Sequence, residues 1–72
     1  MSSLDRLVTM ANQIGRFFTP QRQGDTVALI AEHLERFWDP RMRAAIIAHV
    51  ARGGALDPIA RAAVLALGER GG

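Results

Sequence analysis

The residues of this 72-residue chain that could do chemistry are seven carboxylates, two histidines and nine arginines, with no lysine and no cysteine. General acid–base catalysis needs carboxylates that converge in a cleft. Here Asp5, Asp25, Asp39 and Asp57 fall where helices should begin, while Glu32, Glu35 and Glu69 fall on helix surfaces or in the tail. His33 and His49 have neither the HExxH pattern nor a Cys/His spacing, so a metal site would have to be assembled between helices. His49 lies beside the Met42–Ile46 stripe and reads as a hydrogen-bonded boundary histidine. The lack of cysteine removes disulfides, thiolate metal sites and thiol catalysis, and suits a reducing compartment. Serine occurs only at positions 2 and 3, which leaves no Ser/His/Asp arrangement to argue from. Gly53-Gly54 follows a helix rather than a strand and reads as a helix stop, not a phosphate loop. No catalytic, cofactor-binding or metal-ligating residue is therefore expected.

The arginines point elsewhere. A net charge of +2 is too small to name a polyanion as partner. Arginine alone suits bidentate recognition of carboxylate or phosphate, but the abundance of alanine and glycine favours a G+C-rich coding bias as its cause. A helix-turn-helix reading of residues 25–52, with Arg41 and Arg43 leading a recognition helix, is the alternative function. Against it, Ala44, Ala45, Ile46, Ile47 and Ala48 follow, with none of the amide or hydroxyl side chains that read base edges.

Binding is better argued from the aromatics. Arg16-Phe17-Phe18-Thr19-Pro20 and Arg36-Phe37-Trp38-Asp39-Pro40 repeat one pattern twenty residues apart. Neighbours on a helix diverge by about 100°, so both members of such a pair cannot face one small core. An aromatic pair before a proline break is a common way to turn a corner over a core; the functional reading is that one of each is left for a partner surface, where tryptophan, other aromatics and arginine concentrate binding energy. Phe18, Phe37, Trp38, Arg41 and Arg43 are the expected partner-binding residues. Arg41 and Arg43 stand at the positive end of a helix dipole, an unfavourable place that an external acid or carbonyl would relieve.

These residues are positioned by four short helices and no strand, an all-α single domain over residues 1–72. The first runs from Leu4 to Phe18, with large apolar residues at 4, 7, 8, 10, 14, 17 and 18, capped by Ser2 or Ser3 and ended by Thr19-Pro20. Residues 21–24 read as a loop. The second starts at Asp25 as N-cap and carries its apolar face on 27, 30, 31, 34, 37 and 38, with Glu32 and Arg36 paired at i, i+4 outside. Asp39-Pro40 closes it and opens the third, whose stripe is Met42, Ile46, Ile47 and Val50. Asp57-Pro58 opens the fourth, with Ile59, Ala60, Ala63, Val64 and Leu67 buried, Asp57 paired to Arg61, Gly68 as terminator and a frayed tail from about 69 to 72. Short connections should make consecutive helices neighbours.

So small a chain buries only about 60% of its unfolded surface, and with no disulfide or metal a partner subunit is the remaining staple. Met1-Ser2-Ser3 has no basic segment leading into an apolar run, and no stretch approaches the ~20 residues of a membrane span. A soluble, cytoplasmic protein is expected.

The segment Phe37-Trp38-Asp39-Pro40-Arg41-Met42-Arg43-Ala44, together with Met10-Ala11-Asn12-Gln13-Ile14, Phe17-Phe18, Gly53-Gly54 and Leu56-Asp57-Pro58, resembles the delta subunit of bacterial NAD-dependent formate dehydrogenase. The resemblance runs from about Leu4 to Leu67. It implies a non-catalytic accessory subunit of a cytoplasmic complex in which other subunits convert formate and NAD to carbon dioxide and NADH. The alpha subunit of such complexes carries a molybdenum or tungsten bis-pterin cofactor and iron–sulfur clusters, and the beta and gamma subunits handle NAD with FMN. None of these cofactors would sit on this chain, in agreement with its lack of thiolate ligands. The resemblance implies docking on alpha in support of assembly, stability or cofactor insertion, with neither nucleic acid nor membrane as partner.

Overall fold

Ser2 opens the first helix through a reciprocal cap, its hydroxyl accepting the Asp5 N–H (3.1 Å) while the Asp5 carboxylate accepts the Ser2 N–H (3.3 Å). A computed structural model describes residues 2–18 and 25–71 of the chain. Within them are four helices, α1 (Ser3–Phe18), α2 (Thr26–Phe37), α3 (Pro40–Ala51) and α4 (Pro58–Glu69), and no strand. The expected Thr19-Pro20 break and the 21–24 loop lie outside the described residues.

Two residues, Trp38 and Asp39, separate α2 from α3, and both are extended, with φ/ψ of −94°/137° and −73°/166°. Asp39 holds this corner as expected, its carboxylate accepting the Met42 N–H at 2.9 Å, and Pro40 occupies the first helical turn. So sharp a corner makes α2 and α3 diverge. The expectation that consecutive helices pack as neighbours holds for α1 with α2 and for α3 with α4 but fails for α2 with α3, because α4 packs against both and most extensively against α2. Buried alanines at 31, 60 and 63 permit that approach. Ile30, Leu34, Ile46, Val64 and Leu67 fill the centre.

Gly53-Gly54 ends α3 as expected. Gly53 takes a positive φ of 80°, its N–H bonds Val50 O and the Gly54 N–H bonds His49 O, both at 2.9 Å. A Cβ on Gly54 would lie 2.2 Å from the His49 ring, which covers this turn and reaches Ala55 O through Nε2 at 2.9 Å. Arg61 does not pair with Asp57; its guanidinium donates to Gly54 O at 2.6 Å and ties α4 to the turn. Gly68 does not terminate α4 either. The helix continues through Glu69, Gly71 supplies the positive φ (86°), and Arg70 reaches Glu35 of α2 at 3.3 Å, so of the segment expected to fray Glu69 is helical and Arg70 is tied to α2.

Helix α1 is seated differently. Its buried residues are Leu7, Ala11 and Gly15, one narrow stripe at i, i+4, i+8. At Gly15 the helix comes close enough to α4 that an added Cβ would sit 3.0 Å from Ile59 Cγ2. Polar ties hold it there: Asn12 Oδ1 accepts the Asp57 N–H at 2.9 Å, and Arg16 meets the Asp57 carboxylate at 3.4 Å.

Candidate docking groove

Sequence periodicity gave α1 a wide apolar face, and the core takes only part of it. Met10, Ile14 and Phe17 recur at i, i+4, i+7, about 100° round the helix from the buried stripe. Facing them are His33 and Phe37, one turn apart on α2. Between these walls lies an open groove of about 560 Å³. Its rings form a continuous row: Phe17 meets Phe18 edge-on at 5.3 Å, Phe18 meets His33 at 5.8 Å, and His33 tilts over Phe37 at 4.7 Å. Phe17 and Phe37 are each 70% exposed, far more than the core would leave to water if it could cover them.

Past Met10 the groove continues between the first turns of α1 and α3, as a second lobe of about 360 Å³ floored by Leu4, Leu7, Met42 and Ala45. Arg6 and Arg41 stand at this end. Met10 lines both lobes, so the two adjoin there and lie in succession along α1. Arg36 and Glu32 border the aromatic end beside Phe37; both are exposed and, among the described residues, they do not pair with each other. Arg6, Arg36 and Arg41 have no side-chain partner among the described residues.

The sequence-predicted binding residues divide. Phe18 and Phe37 line the groove and Arg41 stands at its far end. Trp38 is a correction: at 4% exposure it belongs to the core. It continues the inward line Val27–Ala31–Leu34–Trp38, whereas Phe37 is turned about 100° away. Arg43 is the second correction. Its guanidinium folds back onto α2 and donates to Glu35 O (3.1 Å) and to Trp38 O, where it neutralises the negative end of that helix.

Two caps are corrected also. Asp25 accepts the Leu29 N–H with its carbonyl (2.9 Å), but its φ/ψ of −111°/23° lies outside the extended region that aims a capping side chain, and its carboxylate makes no cap bond. The Asp57 carboxylate makes none because it turns to Arg16, with Pro58 in the first turn needing no N–H partner. Sequence reasoning missed Arg6, Met10, Phe17 and His33 as groove residues. The i, i+4 spacing of His33 with Phe37, and the 10–14–17 repeat, carried the signal.

Fold and groove together define a small helical protein with an apolar groove along α1, walled by aromatics at one end and flanked by arginines at the other. Among the described residues no three His, Asp or Glu side chains gather as a metal site, and no helix is long and apolar enough to cross a membrane. The chain belongs to the NADH-dependent formate dehydrogenase delta subunit family, FdsD, whose model matches residues 6–64. That match takes in α1 beyond its first turn, the α2–α3 corner and α4 as far as Val64. No curated protein and no solved structure matches the chain.

Proposed function

We propose that this delta subunit is a non-catalytic accessory subunit of a cytoplasmic formate dehydrogenase complex, and that it docks on the catalytic alpha subunit through the groove along α1. The observation that carries this reading is the pair of phenylalanines, Phe17 and Phe37, held 70% exposed on either side of an apolar channel in a chain whose family is a subunit of a larger enzyme. An isolated globule gains nothing from two large rings in water; a docked one buries them at its interface. Iron–sulfur clusters need thiolates, and the chain has no cysteine to give one. On this reading formate oxidation, the bis-pterin metal, the clusters and FMN are assigned to alpha, beta and gamma. The delta subunit supports assembly or persistence of the active enzyme. A helix-turn-helix function gains no support, because Arg43 is turned onto α2 rather than outward.

The test is co-expression of the other subunits with and without a tagged copy of this chain. Docking predicts that alpha, beta and gamma co-purify with the tag, and that omitting the chain, or replacing both Phe17 and Phe37 by serine, lowers the yield or lifetime of formate-dependent NAD reduction. Retention of the double variant at full stoichiometry, with normal activity, would overturn it.

A further inference from the structure

Resting on the docking reading above, we infer what kind of segment the groove accepts: an amphipathic helix of the catalytic subunit, of about four turns, that lays an apolar face along α1 and carries carboxylates toward Arg6 and Arg41. Three features of the surface lead there.

Length comes first. The channel follows most of α1, which spans about 22 Å at 1.5 Å per residue, so it matches roughly fifteen helical residues of an occupant. The second feature is chemical. The lining is almost wholly side-chain carbon, with Gln13, His33 and Ser3 as its few uncharged polar members. An extended segment would bury backbone N–H and C=O groups with little to bond, whereas a helix satisfies its own. A helix lying against α1 on one side and against the ends of α2 and α3 on the other is ordinary helix-in-groove recognition.

Charge is the third. Arg6, Arg36 and Arg41 border the channel, all exposed and without side-chain partners among the described residues, against Glu32 as the acid on its border. A second copy of this chain is a poorer occupant, since two-fold pairing of the groove sets the Arg6–Arg41 end either against itself or against an end where Glu32 is offset by Arg36. An occupant with acids on its polar edge meets the opposite sign. Arg6 and Arg41 act at the rim, so they set the capture rate and salt sensitivity of docking, while Met10, Phe17 and Phe37 provide the contact area.

The experiment places a photo-cross-linking amino acid at Met10, where the two lobes meet, in the co-expressed complex, and a second at Leu65, which is exposed on α4 outside the groove. The cross-link from position 10 is expected in a helix of the catalytic subunit that bears Asp or Glu beside an apolar face. R6E combined with R41E, which removes no side-chain hydrogen bond or ion pair among the described residues, should leave the circular dichroism of the chain unchanged and increase its loss from the complex in a low-salt wash about ten-fold. Reversing the charges on the captured helix should restore retention. Cross-linking from position 10 to a second copy, to a lipid, or to a segment without acids would overturn the inference. If position 65 captures the catalytic subunit and position 10 captures nothing, the subunit docks by another face and the groove assignment is wrong. Elution of the unmodified chain free of every other subunit would refute the docking reading itself.

Discussion

Arg41 and Arg43 lie two residues apart at the start of α3, yet the structure gives them opposite duties, and replacing each by alanine separates the two. Arg43 donates to the carbonyls of Glu35 and Trp38, which fall in the last turn and at the C-cap of α2 and so have no partner inside that helix. A hydrogen bond to a charged group contributes about 1.5 to 3 kcal/mol when buried. One of these is exposed and the other part-buried, so water replaces much of the loss; with the helix-end charge included, Arg43→Ala should cost about 1 to 2 kcal/mol. For a domain of this size that lowers Tm by roughly 5 to 15 °C. Arg41 is exposed, with no side-chain partner among the described residues, and Arg41→Ala should stay within about 0.5 kcal/mol of the parent. Thermal and urea unfolding, followed by far-UV circular dichroism, read both numbers. The urea slope should be unchanged for Arg43→Ala, because the same surface is exposed on unfolding. Co-purification with the catalytic subunit should show the converse order, with Arg41→Ala weakened and Arg43→Ala retained under conditions where it is folded. An Arg43→Ala chain that melts with the parent while losing its partner would refute the assignment and return Arg43 to the interface.

Trp38→Ala should cost about 3 to 5 kcal/mol, the range for truncating a buried aromatic, and should leave the free chain largely unfolded in a denaturant titration. Phe37→Ala, one residue earlier, should barely move the unfolding midpoint and should appear instead in complex stability. Asp39→Ala removes a capping bond that is present and should cost about 0.5 to 2 kcal/mol; Asp25→Ala removes none and should cost distinctly less by the same thermal melt. Gly53→Ala forces a side chain into the left-handed region and should cost about 1 to 2 kcal/mol, measured as a fall in Tm without change in helix content.

Four helices and the Asp39-Pro40 corner could be read from apolar spacing and punctuation, because each depends on residues close together in the chain. What could not be read depends on which helices meet. Asp25, Asp39 and Asp57 look alike as caps, and at Asp57 the side chain goes elsewhere because α1 brings Arg16 within 3.4 Å. Two arginines at a helix start imply something to compensate them, and for Arg43 the compensating carbonyls are those of α2, eight and five residues back. The aromatic pairs divide as their 100° offset requires, but the outward ring of the first pair is Phe17, with Phe18 half-buried against the core, and Trp38 of the second pair is inside. At the second pair the choice between Phe37 and Trp38 turned on continuing the Val27–Ala31–Leu34 line one turn further, which selects Trp38 for the core.

The same geometry explains why the groove follows α1 and not another helix. Helices α2, α3 and α4 enclose the fully buried core residues from Ile30 to Leu67, while α1 contributes Leu7 and Ala11 and seats its backbone at Gly15. A helix that docks through small residues comes close but covers little, so the large residues beside that stripe find no room inside. Met10 and Phe17 are therefore left at the surface by the way α1 packs, and filling the core better would not bury them. The added area must come from outside the chain. Binding there would stabilise α1 more than any other element, because α1 carries two exposed large apolar side chains, Met10 and Phe17. Amide exchange should reveal this order, with α1 opening first in the free chain and gaining the largest protection in the complex. Equal protection of all four helices in the free chain would mean that α1 needs no partner to hold it.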